Sequence, residues 1–151
     1  MKALILSGGK GTRLRPITYT GAKQLIPVAN KPILFYGIEA IKEAGIDDFG
    51  IIVGDTKEQI KEAVGDGSRW GIKVTYIEQD APRGIAHAIW VGKKFVGSEP
   101  CVVYLGDNIL KGGINRYVKE FSESDIDAMI LLCKVKNPQR FGVAEFDENK
   151  K

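Results

Sequence analysis

Short apolar runs alternate with amphipathic stretches along most of the chain, and glycine or proline marks nearly every change. Leu4-Ile5-Leu6 reads as a first buried strand, because nothing polar interrupts it. From Ile17 to Asn30 no regular spacing is visible, and long irregular stretches inside compact domains tend to be functional. Pro32 suits the first turn of a helix, Leu34, Ile38 and Ile41 share one face of it, and Gly45 ends it. Phe49–Val53 is a second buried strand. Thr56 is placed to cap a short helix over Lys57–Val64, with Ile60 and Val64 facing inward. Turn chemistry from Gly65 to Gly71 leads into a strand at Val74–Ile77, which runs out into Glu78-Gln79. A loop with Pro82 and Gly84 precedes a helix from Ile85 to about Phe95. Cys101–Leu105 is another buried strand, and it ends in Gly106-Asp107-Asn108. Ile114, Val118 and Phe121 mark a helix, Ala128–Val135 a buried strand, and the alternation in Phe141–Phe146 a half-buried one that enters turn chemistry at Asp147–Lys151.

This βαβα order implies a mostly parallel sheet with helices on both faces. Ligands of such sheets bind outside the carboxyl ends of the strands, so the Gly8–Arg15 loop, Gln79 and Asp107 are expected to face one crevice. Asp107 is equally suited to be a turn or capping carboxylate. A last strand that runs into a turn at the final residue suggests the N-terminal piece of a longer protein.

The segment after the first strand carries the strongest chemistry. Gly8, Gly9 and Gly11 let backbone N–H groups crowd toward one point, where they can hold a phosphate, and Arg13 and Arg15 add charge there. A tight turn with two solvated arginines is the plainer alternative. Neither common phosphate-loop pattern fits. Gly9-Lys10 is followed by Gly11 instead of Ser or Thr, and the third glycine position of a dinucleotide fingerprint holds Leu14.

Composition narrows the partners. The 151 residues are 44% hydrophobic and 27% charged, enough for one packed domain, and the net charge of +3 is spread without a basic block. No nucleic-acid partner is read from it. Met1-Lys2 runs straight into the first strand and no apolar run approaches membrane-spanning length, so no membrane is expected and a cytoplasmic location is. Cys101 and Cys133 each sit in an apolar run and read as buried thiols. His87 is the only histidine, and no Cys/His metal cluster exists.

Taken together, the loops resemble those of the sugar-1-phosphate nucleotidylyltransferases, most of all the glucose-1-phosphate thymidylyltransferases. The resemblance rests on Gly8-Gly9-Lys10-Gly11-Thr12-Arg13-Leu14-Arg15-Pro16, on Lys23-Gln24-Leu25-Ile26-Pro27-Val28 followed by Lys31-Pro32, and on Gly65-Asp66-Gly67-Ser68 with Trp70-Gly71. It continues through Gln79, Gly84-Ile85-Ala86, Gly106-Asp107-Asn108 and Arg140-Phe141-Gly142-Val143.

That resemblance implies a Rossmann-like three-layer α/β sandwich of the nucleotide-diphospho-sugar transferase type, with residues 1–151 as the nucleotide-binding part of the catalytic domain. It implies transfer of a nucleotidyl group from dTTP to glucose 1-phosphate, with Mg²⁺ as cofactor, in a homo-oligomer. UTP, another sugar 1-phosphate, or a non-catalytic sensing subunit of the same fold are the alternatives. Arg13, Lys23 and Asp107 would carry catalysis, the first two on the phosphates and Asp107 on the metal. Leu6, Ser7, Gly8, Gly9, Gly11, Thr12, Arg13, Gln24, Gln79 and Gly84 would bind the nucleotide, with Gln24 and Gln79 on the base. Gly84, Asn108 and Gly142 would lie near the sugar. Phe141 and His87 depart from the tyrosine and glutamine frequent in the family, and His87 is expected to be solvated or packed. The family's Glu-Lys-Pro lysine and second metal aspartate are missing, so little activity is expected of these residues alone.

Overall fold

Strand β1 (Lys2–Leu6) lies between two parallel neighbours in the computed structural model, which describes residues 1–9, 11–19, 21–81 and 83–146, with the side chains of Arg13 and Arg140 left aside. Its position explains its sequence. A strand flanked on both sides and covered on both faces has no solvated surface, and Ala3, Leu4 and Ile5 are fully buried. After β1 come the short strands β2 (Pro27–Val28) and β3 (Lys31–Pro32), an antiparallel pair turned by Ala29 and Asn30 at φ of 47° and 64°. Helix α1 (Ile33–Glu43), β4 (Asp48–Val53), α2 (Lys57–Val64), β5 (Lys73–Glu78), α3 (Ile85–Val91), α4 (Lys93–Val96), β6 (Cys101–Leu105) and α5 (Asn115–Glu123) follow.

The main sheet runs β5-β4-β1-β6, all parallel, with Leu6 opposite Ile52 on one side and Leu105 on the other. All these strands therefore end along one edge. On one face, Ala3, Ile5, Phe49 and Ile51 pack with Leu34, Ile38 and Ile41 of α1 and Ile60 and Val64 of α2. On the other, Leu4 and Ile52 pack with Ala88 of α3, and Val91 and Phe95 close over them. The result is the expected three-layer α/β sandwich. No helix of the described residues is long and apolar enough to cross a membrane.

Several local expectations change. The helix from Ile85 is interrupted at Gly92, and two short helices α3 and α4 replace one; a β-carbon on Gly92 would stand 2.8 Å from a Leu4 methyl. Thr56 occupies the residue before α2 without a side-chain capping bond, and Pro32 precedes α1 instead of sitting in its first turn. β6 has a neighbour on one side only among the described residues and is half-buried, with Val103 exposed.

The chain divides into two units, 1–119 and 120–151, and α5 crosses the division. Beyond α5 the second unit has a single 3₁₀ turn, Pro138–Arg140, and no strand among its described residues. Ala128–Val135 and Phe141–Phe146 thus do not form the strands that their apolar patterns predict. Ile130 is 79% and Val143 70% exposed. Their backbones find no ladder partner among the described residues, and an apolar run without a partner does not make a strand. Cys133 lies in this stretch and is exposed, against expectation, while Cys101 is half-buried and burial pushes its thiol up to about 11. The turn read at Asp147–Lys151 lies outside the described residues.

Candidate functional site

The ends of β1, β5 and β6 carry the Ser7–Gly11 segment, Gln79 and Asp107 to one sheet edge, where β4 also ends. Beyond Leu6, the Ser7 N–H donates to the Ile52 carbonyl at 2.8 Å and the Gly106 N–H to the Leu6 carbonyl at 3.0 Å, so the chain is held on both sides as it leaves the sheet. Gly8 then passes against Gly54. A β-carbon on Gly54 would stand 2.9 Å from the Gly8 carbonyl oxygen, closer than a side chain and a backbone can approach. Gly54 is a packing requirement of the loop that sequence reasoning missed, because a lone glycine after a strand has no fingerprint spacing.

The glycine loop has two walls. On one, ideal β-carbons on Gly9 and Gly11 would meet the Lys23 side chain, at 3.1 Å from its Cε and 3.0 Å from its Cβ. The Lys23 ammonium donates to Asp107 Oδ2. Lys23 comes from the 3₁₀ turn Lys23–Leu25, and Asp107 from the end of β6. Side chains 84 residues apart thus meet beside the glycines. The turn is fixed from behind by Gln59 of α2, whose Oε1 accepts the Ala22 N–H at 2.8 Å. Gln59 was invisible in the sequence, being one polar residue in an amphipathic helix.

The other wall is Gln79. A β-carbon on Gly8 would meet its Oε1 at 3.1 Å. The Gln79 N–H donates to the Val53 carbonyl at 2.9 Å, which extends the β4–β5 ladder one residue beyond the strand. Its Nε2 stands 3.0 Å from His87 Nδ1 and 3.5 Å from the Gly84 carbonyl oxygen. His87 is therefore neither merely solvated nor merely packed; it is bonded to a predicted site residue. Gly84, at φ 93°, adopts a backbone that favours glycine as it leads into α3.

The remaining predicted residues are less uniform. Gln24 is 1% exposed, and its Oε1 has no partner among the described residues; the buried Ser7 Oγ has none either. Gly11 is left-handed at φ 64° and its carbonyl accepts Thr18 Oγ1 at 2.7 Å, which shapes the entry to the turn Thr12–Leu14. Thr12 is exposed, and the side chain of Arg13 and residue Lys10 lie outside what is described. Arg15 stacks over the Tyr19 ring at 5.0 Å. Asn108 is exposed, and its carbonyl accepts the Tyr104 hydroxyl at 3.1 Å. Gly142 belongs to the second unit, where it is exposed.

A cleft of about 570 Å³ borders the Lys23 turn, lined by Ile17, Ala22, Leu25, Pro27, Gln59 and Ala63 among others, and none of the predicted site residues lines it. No group of three or more His, Cys, Asp or Glu side chains suited to a metal occurs among the described residues. Asp107 is one carboxylate facing one ammonium. That donor set fits a hard cation that takes its other ligands from phosphate oxygens and water, since Mg²⁺ is commonly held through one or two carboxylates.

The family described as nucleotidyl transferase matches residues 2–151. A glucose-1-phosphate thymidylyltransferase of Streptomyces griseus is 55% identical over 149 residues, and the low-salt glycan biosynthesis nucleotidyltransferase Agl11 of Haloferax volcanii 53% over 149. These alignments cover 99% and 98% of this chain but 42% of each relative, so the chain spans well under half their length. A solved Bacillus anthracis structure described as a glucose-1-phosphate thymidylyltransferase with a sucrose superposes with a TM-score of 0.93 at 40% identity, over 99% of this chain and 61% of that one. A UDP-glucose pyrophosphorylase complexed with UDP-glucose gives 0.69 at 26% identity, over 81% and 53%. With its whole described sheet and its glycine loop inside the matched region, this chain belongs to the nucleotidyl transferase family.

Proposed function

We propose that this chain is the nucleotide-binding part of a glucose-1-phosphate thymidylyltransferase, which joins dTTP to glucose 1-phosphate and releases pyrophosphate. The observation that carries the reading is the pair of walls on the glycine loop: a Lys23–Asp107 ion pair on one side and the Gln79 amide on the other. The family membership and the names of the similar proteins support the same reaction.

An oxygen of the sugar phosphate attacks the α-phosphorus in line, the bond to the β-phosphate oxygen breaks, and pyrophosphate leaves. No protein nucleophile takes part, so positioning and charge neutralisation supply the rate. Backbone from Leu6 to Gly11, with Thr12, lies along the nucleotide, and the glycines keep β-carbons out of its way. Lys23 and Arg13 offset the charge on the triphosphate and on the leaving group. When Mg²⁺ is bound, it polarises phosphate oxygens and neutralises their charge. Asp107 would hold it, and Lys23 would meet the phosphates beside it. Gln24 and Gln79 read the base edge, while Gly84 and Asn108 serve the sugar.

Pyrophosphate release by the full-length protein, with dTTP, UTP, CTP and GTP crossed against several sugar 1-phosphates, tests this. Release is expected with dTTP and glucose 1-phosphate above all other pairs. A stronger response to UTP would move the reading to a uridylyltransferase, and equal rates with all bases would remove Gln24 and Gln79 from it.

A further inference from the structure

We infer that His87 is a positioning residue that sets base specificity by fixing which end of the Gln79 amide faces the glycine loop. The inference rests on the nucleotidyltransferase reading above and adds a residue whose departure from the family pattern has no role in it.

A glutamine amide has a donor end and an acceptor end of nearly the same shape, so its orientation depends on what surrounds it. Here the surroundings form a chain with one direction. At its far end stands Asp80, whose carboxylate only accepts; Arg83 holds its Oδ2 at 2.7 Å, and its Oδ1 lies 3.8 Å from His87 Nε2. That is too long for a direct hydrogen bond, but the carboxylate field favours the imidazole proton on Nε2. Nδ1 is then an acceptor. It accepts a hydrogen bond from Gln79 Nε2 at 3.0 Å. The second Nε2 hydrogen points toward the Gly84 carbonyl, another group that only accepts, at 3.5 Å.

Two acceptor-only groups thus bracket the chain and drive the NH₂ end of Gln79 away from the loop. The carbonyl end is left beside Gly8. A lone acceptor there suits a base whose ring nitrogen carries hydrogen, as N3 does in thymine and uracil. Cytosine presents a bare N3 at that position, and two acceptors would face each other across it. Rejecting such a mismatch is where buried polar groups discriminate most strongly. The polarity of the amide, and with it the choice between an imide base and cytosine, is therefore set eight residues away on α3.

The test is the ratio of kcat/KM for dTTP to that for dCTP in the full-length protein, measured by pyrophosphate release. His87→Ala frees the amide to rotate and is expected to lower the ratio about tenfold or more, chiefly by raising KM for dTTP, with kcat at saturation nearly unchanged. His87→Gln can still accept, and is expected to keep most of the ratio. His87→Lys can only donate, which favours the reversed amide, and should lower the ratio furthest. A ratio unchanged in both His87→Ala and His87→Lys, while Gln79→Ala lowers it, overturns the inference and leaves the function standing. No turnover with any nucleotide in the unsubstituted protein, or a ratio indifferent to Gln79→Ala, overturns the reading on which it rests.

Discussion

The two walls of the glycine loop are built from opposite materials. Lys23 and Asp107 are full charges, brought from a 3₁₀ turn and a strand end and paired directly beside Gly9 and Gly11. The Gln79 wall is neutral at the loop, with its charged members, Asp80 and Arg83, set back behind His87. Charge next to the loop suits phosphates, whose electrostatic demand is large and indifferent to small errors of angle. An oriented amide suits a base edge, where the pattern of donors and acceptors carries the information. Separating the two keeps the strong field from blurring the weak one.

This contrast breaks most visibly on the charged side. Lys23→Ala is expected to lower kcat for pyrophosphate release about 10²- to 10³-fold, with the ratio of dTTP to dCTP turnover unchanged. Asp107→Asn is expected to lose turnover on a similar scale while nucleotide binding persists, which equilibrium binding of dTTP would register. A loss of discrimination in either variant would mean that the walls are not separate.

Glycine substitutions sharpen the comparison at smaller amplitude. An alanine at Gly9 meets the Lys23 side chain near its flexible end, whereas one at Gly8 meets the Gln79 oxygen with Val53 and Gly54 backbone behind. Gly8→Ala should therefore shift base discrimination several-fold more than Gly9→Ala does, as a competition assay between dTTP and dCTP would show. Gln59→Ala removes the acceptor of the nearly buried Ala22 N–H. It is expected to destabilise by about 1 to 2 kcal/mol in urea unfolding and to raise KM for dTTP, because the Lys23 turn loses its backing. The smallest effect lies far from the site. The Lys2 ammonium beside Glu99, and the N-terminal ammonium after it, hold that carboxyl below its ordinary value. Its contribution to stability is complete above the unfolded-state carboxyl range and is lost as pH falls through the lower folded value. Because Glu99 is exposed, Glu99→Gln should flatten the acid limb of a pH–stability curve only slightly.

How much of this was legible in the chain depends on whether a residue's partner was local. β1 and β4 were readable because their apolar runs are buried on both faces, and α2 because Ile60 and Val64 mark its inward side. Ala128–Val135 has the same kind of run and carries no strand, since the pattern says that a segment can be buried and not that a neighbour is present to bury it. The need for glycine at Gly92, between α3 and α4, comes from Leu4, 88 positions earlier, and no helical periodicity records that contact. In the site, glycine spacing and strand ends located Gly8, Gly9, Gln79 and Asp107. The supports behind them, Gln59, Gly54 and His87, act through single hydrogen bonds or close backbone approaches that leave no periodic trace. His87 was the nearest to readable, because the strand–loop–helix connection from Gln79 to α3 returns the helix's first turn to the strand end.

The most direct measurement is a double-mutant cycle of Lys23→Ala and Gln79→Ala in the full-length protein, read as pyrophosphate release with dTTP and with dCTP. Separate walls predict that Lys23→Ala lowers both rates by the same factor, that Gln79→Ala narrows their ratio, and that the two effects add to within about 0.5 kcal/mol. A coupling above about 1 kcal/mol, or a change in the ratio on Lys23→Ala alone, would contradict the division of labour between the charged wall and the neutral one.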